Sequence, residues 1–307
     1  MIEITKPSVT DPDRIFELEM HSVLNILNVI NAQLQLISMM TKQPERLEEP
    51  IHLTKNLGDA IHKGDRENMN PDSLKELKKS VQNTLNRLEQ DIPNLRKNPD
   101  YLDYKLIFDQ IFRVLDMRLE ELERRWEDPD RWEVIVPSDY KKELVHFLGV
   151  IEQNSSGRYR IVYNIAEQEE RDYLVHIEID SRPSGRIAIP LLLKDSIRDL
   201  IANARKYTKP GGKIDIGLLE EDGIIHFVVE DTGRGIPEDE IDKVTEYRYR
   251  ATNVMEEVRT MGAGMGLTKA HYVIDRFGGR LWIDSELGKG TTVKFEVPIP
   301  ASELELL

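Results

Sequence analysis

The sequence predicts an α+β protein, with a helical first half and a second half that mixes strands and helices. In the first half, apolar residues recur at steps of three and four, as they do along one face of a helix. In the second half, short strand-like segments are joined by glycine-containing turns. The chain has 307 residues, of which 39% are hydrophobic and 32% charged. We therefore expect two globular domains, at residues 1–131 and 132–307.

The helical half is predicted to begin at Asp11, where a capping carboxylate precedes a proline suited to a first helical turn. Its apolar residues then form a heptad seam, made of Phe16, Met20, Val23, Leu27, Ile30, Leu34 and Ile37. Pro44 and Pro50 interrupt the pattern, and a second helical run follows the turn-rich residues 63–72. The pattern predicts a long, kinked antiparallel hairpin over residues 11 to about 128.

A hairpin of this kind has two long apolar faces, which it cannot bury by itself. We therefore expect a homodimer in which two hairpins form a four-helix bundle. The alternative is a monomeric helical domain, folded on its own shorter helices.

The second half is predicted to form an antiparallel or mixed sheet with helices on one face. The predicted strands are Tyr159–Tyr163, Tyr173–Ile179, Lys213–Leu219, Ile224–Glu230, Arg280–Ile283 and Thr291–Val297. The predicted helices are Pro137–Asn154, Leu191–Lys206 and Leu267–Phe277.

Composition excludes several kinds of site. The chain has no cysteine, so disulfides, thiolate zinc sites and cysteine nucleophiles are excluded. Its net charge of -14 disfavours direct binding to nucleic acid, because the surplus repels phosphate. No stretch approaches 18 consecutive apolar residues, and the N-terminus lacks the layout of a signal peptide. We therefore expect no membrane span and a cytoplasmic location.

Three segments of the second half carry the candidate chemistry. The first lies late on a predicted helix, where helical spacing places Asp199 and Asn203 on one face with Lys206 nearby. An amide oxygen can bind Mg²⁺, which prefers oxygen ligands, and a lysine can neutralise phosphate charge. By itself, this pattern is also typical of a solvated helix face.

The second segment, Asp231-Thr232-Gly233-Arg234-Gly235-Ile236-Pro237, directly follows an apolar strand. A carboxylate at a strand end accepts hydrogen bonds only, which suits the exocyclic amino group of adenine, although a simple turn has the same composition. The third segment, Gly262-Ala263-Gly264-Met265-Gly266-Leu267, precedes a helix and so exposes backbone N–H groups to an anion. No strand precedes this glycine cluster, so it is not a dinucleotide fingerprint, and the sequence contains no P-loop.

The order of these segments resembles the ATPase domain shared by gyrase, heat-shock chaperones, mismatch-repair ATPases and histidine kinases, over roughly residues 132–301. Residues 203–207 resemble the N box, residues 231–235 the G1 box and residues 262–267 the G2 box. Glu246 with Tyr249-Arg250-Ala251 is similar to a degenerate kinase F box. The resemblance implies a Bergerat-type α/β sandwich that binds ATP and Mg²⁺.

The resemblance also implies roles for individual residues. Asn203 would bind Mg²⁺, Asp231 would contact adenine, and residues 240–261 would form a lid. Further contacts with the nucleotide are implied for Lys206, Tyr207, Gly233, Gly235, Ile236, Gly262, Gly264, Gly266, Leu267 and Thr292. Hydrolysing members of the family have a water-activating glutamate four residues before the asparagine. Here that position holds the shorter Asp199, which favours the kinase branch.

A candidate phosphate acceptor lies on the first predicted helix. Residues 21–27 resemble an H box, with His21 as the acceptor and Asn25 four residues later. The seam residues predict that His21 points outward from the helix pair, with Glu17 and Asn25 one turn to either side. Ser22 replaces the acidic residue that usually follows the histidine, so we consider Glu17 a possible base.

The sequence therefore predicts a dimeric histidine kinase that phosphorylates His21 and passes the phosphoryl group to an aspartate of a response-regulator receiver domain. One alternative is a phosphotransfer or adaptor protein with a residual ATPase-like domain, which would fail to bind ATP. Another is an anti-sigma-type serine kinase, whose phosphoprotein would be stable in acid. A third is a gyrase-like ATPase, which would release phosphate without becoming phosphorylated.

Overall fold

The structure is a computed structural model that describes residues 1–153, 155, 157–182, 184–255, 264–305 and 307. The chain divides into two units. The helical unit comprises Thr10–Pro129, and the sheet unit comprises Met1–Val9 together with Asp130–Leu307.

The helical unit confirms the predicted helical character but differs in the number of helices. Its described residues form α1 (Pro12–Glu19), α2 (His21–Thr41), α3 (Glu48–His62), α4 (Pro71–Asp91) and α5 (Pro99–Glu127). Several prolines start helices here instead of kinking them. Pro71 and Pro99 each follow an asparagine whose side chain caps the new helix, by accepting from the N–H of Ser73 and Tyr101, respectively.

Helices α2 to α5 pack against one another within one chain. Helix α2 contacts α3 and α5, and α4 also contacts both of them. All seven residues of the predicted seam are buried. Within the single chain, the shorter helices cover this apolar stripe. Burial of this stripe therefore does not require a second copy of the chain. The homodimer stays a prediction.

Helix α2 bears on the expectation of no membrane span, which stays a prediction. With 21 residues, it is long and apolar enough to cross a membrane by length and composition. The count of consecutive apolar residues missed this property, because uncharged polar residues such as Asn25, Asn28 and Asn31 interrupt the run. A core helix passes the same test, and the apolar stripe of α2 is buried. The cellular location stays a prediction.

The sheet unit confirms the α+β fold. Its strands are β1 (Ile2–Glu3), β2 (Trp132–Ile135), β3 (Ile161–Val162), β4 (Tyr173–Ser181), β5 (Ile187–Pro190), β6 (Lys213–Glu221), β7 (Ile224–Asp231), β8 (Arg280–Glu286) and β9 (Gly290–Pro298). Its helices are α6 (Pro137–Gln153), α7 (Leu191–Tyr207), α8 (Thr252–Met255), α9 (Gly266–Arg276) and α10 (Ala301–Leu304). Among the described residues, seven strands form one mixed sheet in the order β1-β8-β9-β7-β6-β4-β3, and β2 pairs with β5.

The core of the sheet unit lies between the sheet and its helices. Side chains alternate along β7 and β9, so one face of each strand is buried, and Phe227 stacks on Phe295 with ring centroids 4.9 Å apart. Helices α7 and α9 pack against each other and against these strands. This packing places the end of α7, the end of β7 and the start of α9 close together.

Sequence reasoning missed three short strands. Ile2 and Glu3 of β1 pair with Ile283 and Trp282 of β8 at the sheet edge. The other two, β2 and β5, pair with each other outside the main sheet. Segments of two to four residues are too short for apolar alternation to stand out, so only tertiary pairing defines them.

Candidate functional site

The three predicted segments line one cavity in the sheet unit. The cavity holds about 770 Å³ of space between protein atoms, part of it open to solvent. Its wall comprises Leu200, Asn203, Ala204, Tyr207, Val229, Asp231, Arg234, Gly235, Ile236, Val244, Tyr249, Arg250, Ala251, Asn253, Val254, Gly264, Gly266, Leu267, Thr291 and Val293. Asn203, Asp231 and Gly264, on which the predicted site depends, therefore meet around a common space.

Asn203 lies late on α7, where it faces the start of α9. A Cβ atom on Gly266 would lie 2.6 Å from the side-chain nitrogen of Asn203, so a larger residue there would displace the Asn203 side chain. Gly264 has a φ of +71°, and a Cβ there would collide with the backbone carbonyl of Tyr249. The glycine cluster is thus required by close packing around the cavity as well as by its backbone conformation.

Asp231 ends β7 and is 9% exposed. Its Oδ1 accepts hydrogen bonds from the N–H of Gly233, at 2.8 Å, and from the hydroxyl of Thr208, at 3.4 Å. Burial raises the pKa of the Asp231 carboxyl to about 6. At neutral pH the group is therefore mostly ionised and accepts hydrogen bonds only.

The loop after Asp231 is held by specific contacts. The N–H of Ile236 donates to the hydroxyl of Ser285 at 2.8 Å, which ties the loop to the end of β8. Gly235 and Ile236 line the cavity. Gly233 is not among the described residues of the wall, and its N–H donates to the Asp231 carboxylate. A Cβ on Gly233 would lie 2.5 Å from the Asp231 carboxylate.

Tyr207 lines the cavity, but its neighbour Lys206 is not among the described residues of the wall. The Lys206 ammonium lies 5.2 Å from the centroid of the Tyr207 ring. Burial lowers the pKa of Lys206 to about 8, with further lowering by Arg250 and Arg205. The Lys206 ammonium therefore lies beside the cavity and loses its proton at a lower pH than an exposed lysine does.

The structure corrects the choice of Thr292. Side chains alternate along β9, and the cavity wall takes Thr291 and Val293 from this strand. Thr292 is paired with Glu230 on the adjacent strand, whereas Thr291 is paired with Asp231. Gly262, the first predicted glycine of the cluster, lies outside the described residues.

The predicted lid contributes a folded wall. Glu240 accepts hydrogen bonds from the backbone N–H of Thr252, at 2.8 Å, and from the hydroxyl of Tyr249, at 3.0 Å. The side-chain hydrogen bond from Thr252 is the main cause that lowers the pKa of Glu240. Residues 240–255 thus fold around a buried carboxylate, and six of them line the cavity. Residues 256–261 of the predicted lid lie outside the described part.

Sequence reasoning assigned no role to two residues of the wall, Arg234 and Asn253. The guanidinium of Arg234 donates to the backbone carbonyl of Asn253 at 3.4 Å, and the Asn253 amide donates to the carbonyl of Gly235 at 2.8 Å. Arg234 and Arg250 bring positive charge to the wall, which suits an anionic ligand. An arginine inside a glycine-rich motif could have been singled out from sequence, whereas Asn253 could not.

In the helical unit, the structure changes the setting of His21. Helix α1 ends at Glu19 and α2 begins at His21, with Met20 in a non-helical conformation between them. His21 is buried (7% exposed), which corrects the expectation that it points outward. The side-chain nitrogen of Asn25 lies 3.3 Å from Nε2 of His21, so these two residues are neighbours as predicted.

Glu17 is separated from His21 by the break at Met20. The Oε1 atom of Glu17 lies 2.8 Å from Nδ1 of His62, a residue for which the sequence predicted no functional role. The pairing of Glu17 with His62 joins α1 to α3, and the sequence contains no signal for it.

Comparison with known proteins agrees with the geometry of the cavity. Residues 188–301 match the family described as histidine kinase-, DNA gyrase B- and HSP90-like ATPase. The chain is 33% identical over 109 residues to the aerobic respiration control sensor protein ArcB of Escherichia coli (36% of this chain, 14% of that protein). It is 30% identical over 162 residues to the sensor histidine kinase WalK of Bacillus subtilis (51% of this chain, 24% of that protein).

A solved catalytic domain of the histidine kinase ThkA is 18% identical, with a TM-score of 0.41, and the match covers 56% of this chain and 99% of that one. The chain spans less than a quarter of the length of ArcB and WalK.

Residues 188–301 are therefore similar to the ATPase domains of the histidine kinase-, gyrase B- and HSP90-like family. Within that class, the resemblance to two-component sensor histidine kinases is confirmed.

Proposed function

We propose that the protein is an ATP-dependent protein-histidine kinase that phosphorylates His21. The phosphoryl group then passes to an aspartate of a response-regulator receiver domain. The observation that carries the proposal is the meeting of Asn203, Asp231 and Gly264 around one cavity in a domain of the ATPase family. The proposal includes a homodimer and a cytoplasmic location.

The cavity offers suitable contacts for the adenine, the phosphates and the Mg²⁺ of bound ATP. The Asp231 carboxylate accepts from the amino group of adenine, and the glycines let the flat base approach the backbone. The amide oxygen of Asn203 is a hard ligand of the kind that Mg²⁺ binds, together with phosphate oxygens and water. Arg234 and Arg250 neutralise phosphate charge, and Lys206 lies beside the wall. Bound Mg²⁺ would neutralise the charge that develops on the transferred phosphoryl group.

His21 is suited to accept the phosphoryl group because a neutral imidazole has one ring nitrogen with a free lone pair. The Asn25 amide lies next to Nε2 and fixes the orientation of the ring. Since the side chain is 7% exposed, transfer requires a conformation in which the ring nitrogen is open to the nucleotide. Glu17, held by His62, remains a candidate proton acceptor for that conformation.

The test is incubation with γ-labelled ATP, comparing the native chain with His21→Ala. His52→Ala is the matched control, because His52 is an exposed histidine of the same unit. We expect label on the native chain and on His52→Ala, lost in acid, and none on His21→Ala. Label that survives acid would indicate a serine kinase, and label that persists in His21→Ala would exclude His21 as the acceptor. Absence of ATP binding would indicate an adaptor.

A further inference from the structure

A buried cluster of charges lies behind the cavity, between α7 and α9. The ammonium of Lys269, on α9, is wholly buried. It bonds to the carboxylate of Asp195 and lies 2.9 Å from Oδ2 of Asp199, one turn further along α7. Arg198 also reaches Asp195, at 3.4 Å.

This cluster is not explained by stability alone. Taking an ammonium out of water carries a large free-energy cost, and a well-packed apolar side chain is often as good or better at such a position. The carboxylates of Asp195 and Asp199 offset the cost of burying the Lys269 ammonium, and the ammonium in turn offsets the cost of burying the carboxylates. The arrangement therefore fixes the direction in which Asp195 and Asp199 point, in addition to joining the two helices.

The position of the cluster connects it to the nucleotide site. Asp199 lies one helical turn before Asn203, the proposed Mg²⁺ ligand, and close to the same face of α7. Lys269 lies three residues after Gly266, which touches Asn203. Among the described residues, the cavity wall includes Leu200 and Asn203 but not Asp199, whose carboxylate is held at Lys269.

If the Asp199 carboxylate were not held by Lys269, hydrolysis of ATP would compete with phosphoryl transfer to a protein side chain. The freed carboxylate could take a proton from a water molecule while the water oxygen forms a bond to the γ-phosphorus and the bond to the bridging oxygen of ADP breaks. General-base assistance of this kind is typically worth about 10²- to 10⁴-fold in rate. ATP would then be hydrolysed before the phosphoryl group reached an acceptor side chain.

We propose that Lys269 is a positioning residue that holds the Asp199 carboxylate against α9 and thereby suppresses hydrolysis of bound ATP. This inference rests on the proposed function, because it assumes that the cavity binds ATP. On this proposal, Lys269 favours a protein side chain over water as the acceptor of the phosphoryl group.

The experiment measures release of labelled phosphate from γ-labelled ATP in a His21→Ala background, where no phosphate can come from phosphohistidine. We compare Lys269→Met with Lys269→Met/Asp199→Asn, and we measure ATP affinity and the melting temperature of each protein. Lys269→Met is expected to raise phosphate release per bound ATP at least about tenfold. The added Asp199→Asn should return the rate to the starting value, and Lys269→Arg should keep it low.

An unchanged rate in a folded, ATP-binding Lys269→Met protein would overturn the proposal, as would a gain that survives Asp199→Asn. A lysine that acted only as a structural clamp would lower the melting temperature without a gain that depends on Asp199. Asp199→Asn alone, in the same background, covers the case in which Lys269→Met does not fold. It should leave slow hydrolysis unchanged, and a fall would show that Asp199 already acts as a base.

Failure of the proposed function is distinguishable from failure of this inference. If the native chain binds ATP but forms no phosphohistidine, the histidine kinase proposal fails while the hydrolysis comparison remains readable. If the native chain binds no ATP, both fail together.

Discussion

Gly266 lies so close to Asn203 that an added Cβ atom would be 2.6 Å from the side-chain nitrogen of the asparagine. This contact joins the start of α9 to the end of α7, and it brings the glycine cluster to the proposed Mg²⁺ ligand. Much of the behaviour of the site should depend on it.

Gly266→Ala should therefore weaken binding of Mg²⁺-ATP at least about tenfold, because the methyl group displaces Asn203. The measurement is titration with a fluorescent ATP analogue in the presence of Mg²⁺. Gly149→Ala is the matched control, since its Cβ would meet no atom within 4 Å and it lies inside α6. Gly149→Ala should bind normally and be more stable by up to about 1 kcal/mol. Equal affinities for the two variants would contradict the geometry.

The affinity for ATP should fall below pH 6. The pKa of Asp231 is raised to about 6 by burial, and only the ionised carboxylate accepts from the amino group of adenine. Binding that needs this form is complete above the pKa and falls about tenfold per pH unit below it. Isothermal titration between pH 5 and 8 checks this. GTP serves as a control, because guanine presents an oxygen at that position and should bind weakly throughout.

Asp231→Asn should abolish ATP binding and yet stabilise the free protein at pH 8. Since the folded pKa lies above the ordinary value of 3.8, ionisation opposes folding, and the penalty is fully present above pH 6. Removing the charge is worth up to about 3 kcal/mol there. The advantage of the variant should shrink as pH falls and disappear near pH 4. Denaturant unfolding at pH 8 and pH 4 measures this difference in stability. A variant that is less stable than the native chain at pH 8 would contradict the cost of burying the ionised Asp231 carboxylate.

Thr291 and Thr292 offer a comparison between adjacent residues of the same type. Thr291 lines the cavity, whereas the described wall does not include Thr292. Thr291→Met should intrude on the nucleotide and weaken ATP binding by about 5- to 150-fold, since overpacking costs about 1–3 kcal/mol. Thr292→Met should bind ATP like the native chain. A competition assay in which Thr292→Met binds ATP more weakly than Thr291→Met would show that Thr292 lines the site.

Helix α2 allows a test of the single-chain bundle. Leu34 is fully buried, whereas Leu36, on the same helix, is 41% exposed. Leu34→Ala should lower the free energy of unfolding by about 2–5 kcal/mol, and Leu36→Ala by less than about 1. Unfolding followed by far-UV circular dichroism at several protein concentrations measures both. A midpoint that rises with concentration would show that a second copy also stabilises the bundle.

Much of this protein could be predicted from the sequence because its signals are local. Heptad spacing predicts the buried stripe of α2, alternation predicts the long strands, and glycine clusters predict backbone that must approach something closely. The order of Asn203, Asp231 and Gly264 indicated the cavity, because motifs at element ends meet when the elements pack. Local signals failed where an element is too short for a period, as in β1.

What tertiary structure alone decided is which side chains face one another across distant parts of the chain. Whether Thr291 or Thr292 enters the cavity depends on the register of β9 against β7, and a shift of one residue exchanges them. The partner of Glu17 is His62, 45 residues away, and the partner of Asp199 is Lys269, 70 residues away. Charge pairing depends on distance in space. Sequence spacing could therefore place Asp199 on one helix face with Asn203, but only the packing of α7 on α9 shows its carboxylate held by a buried lysine.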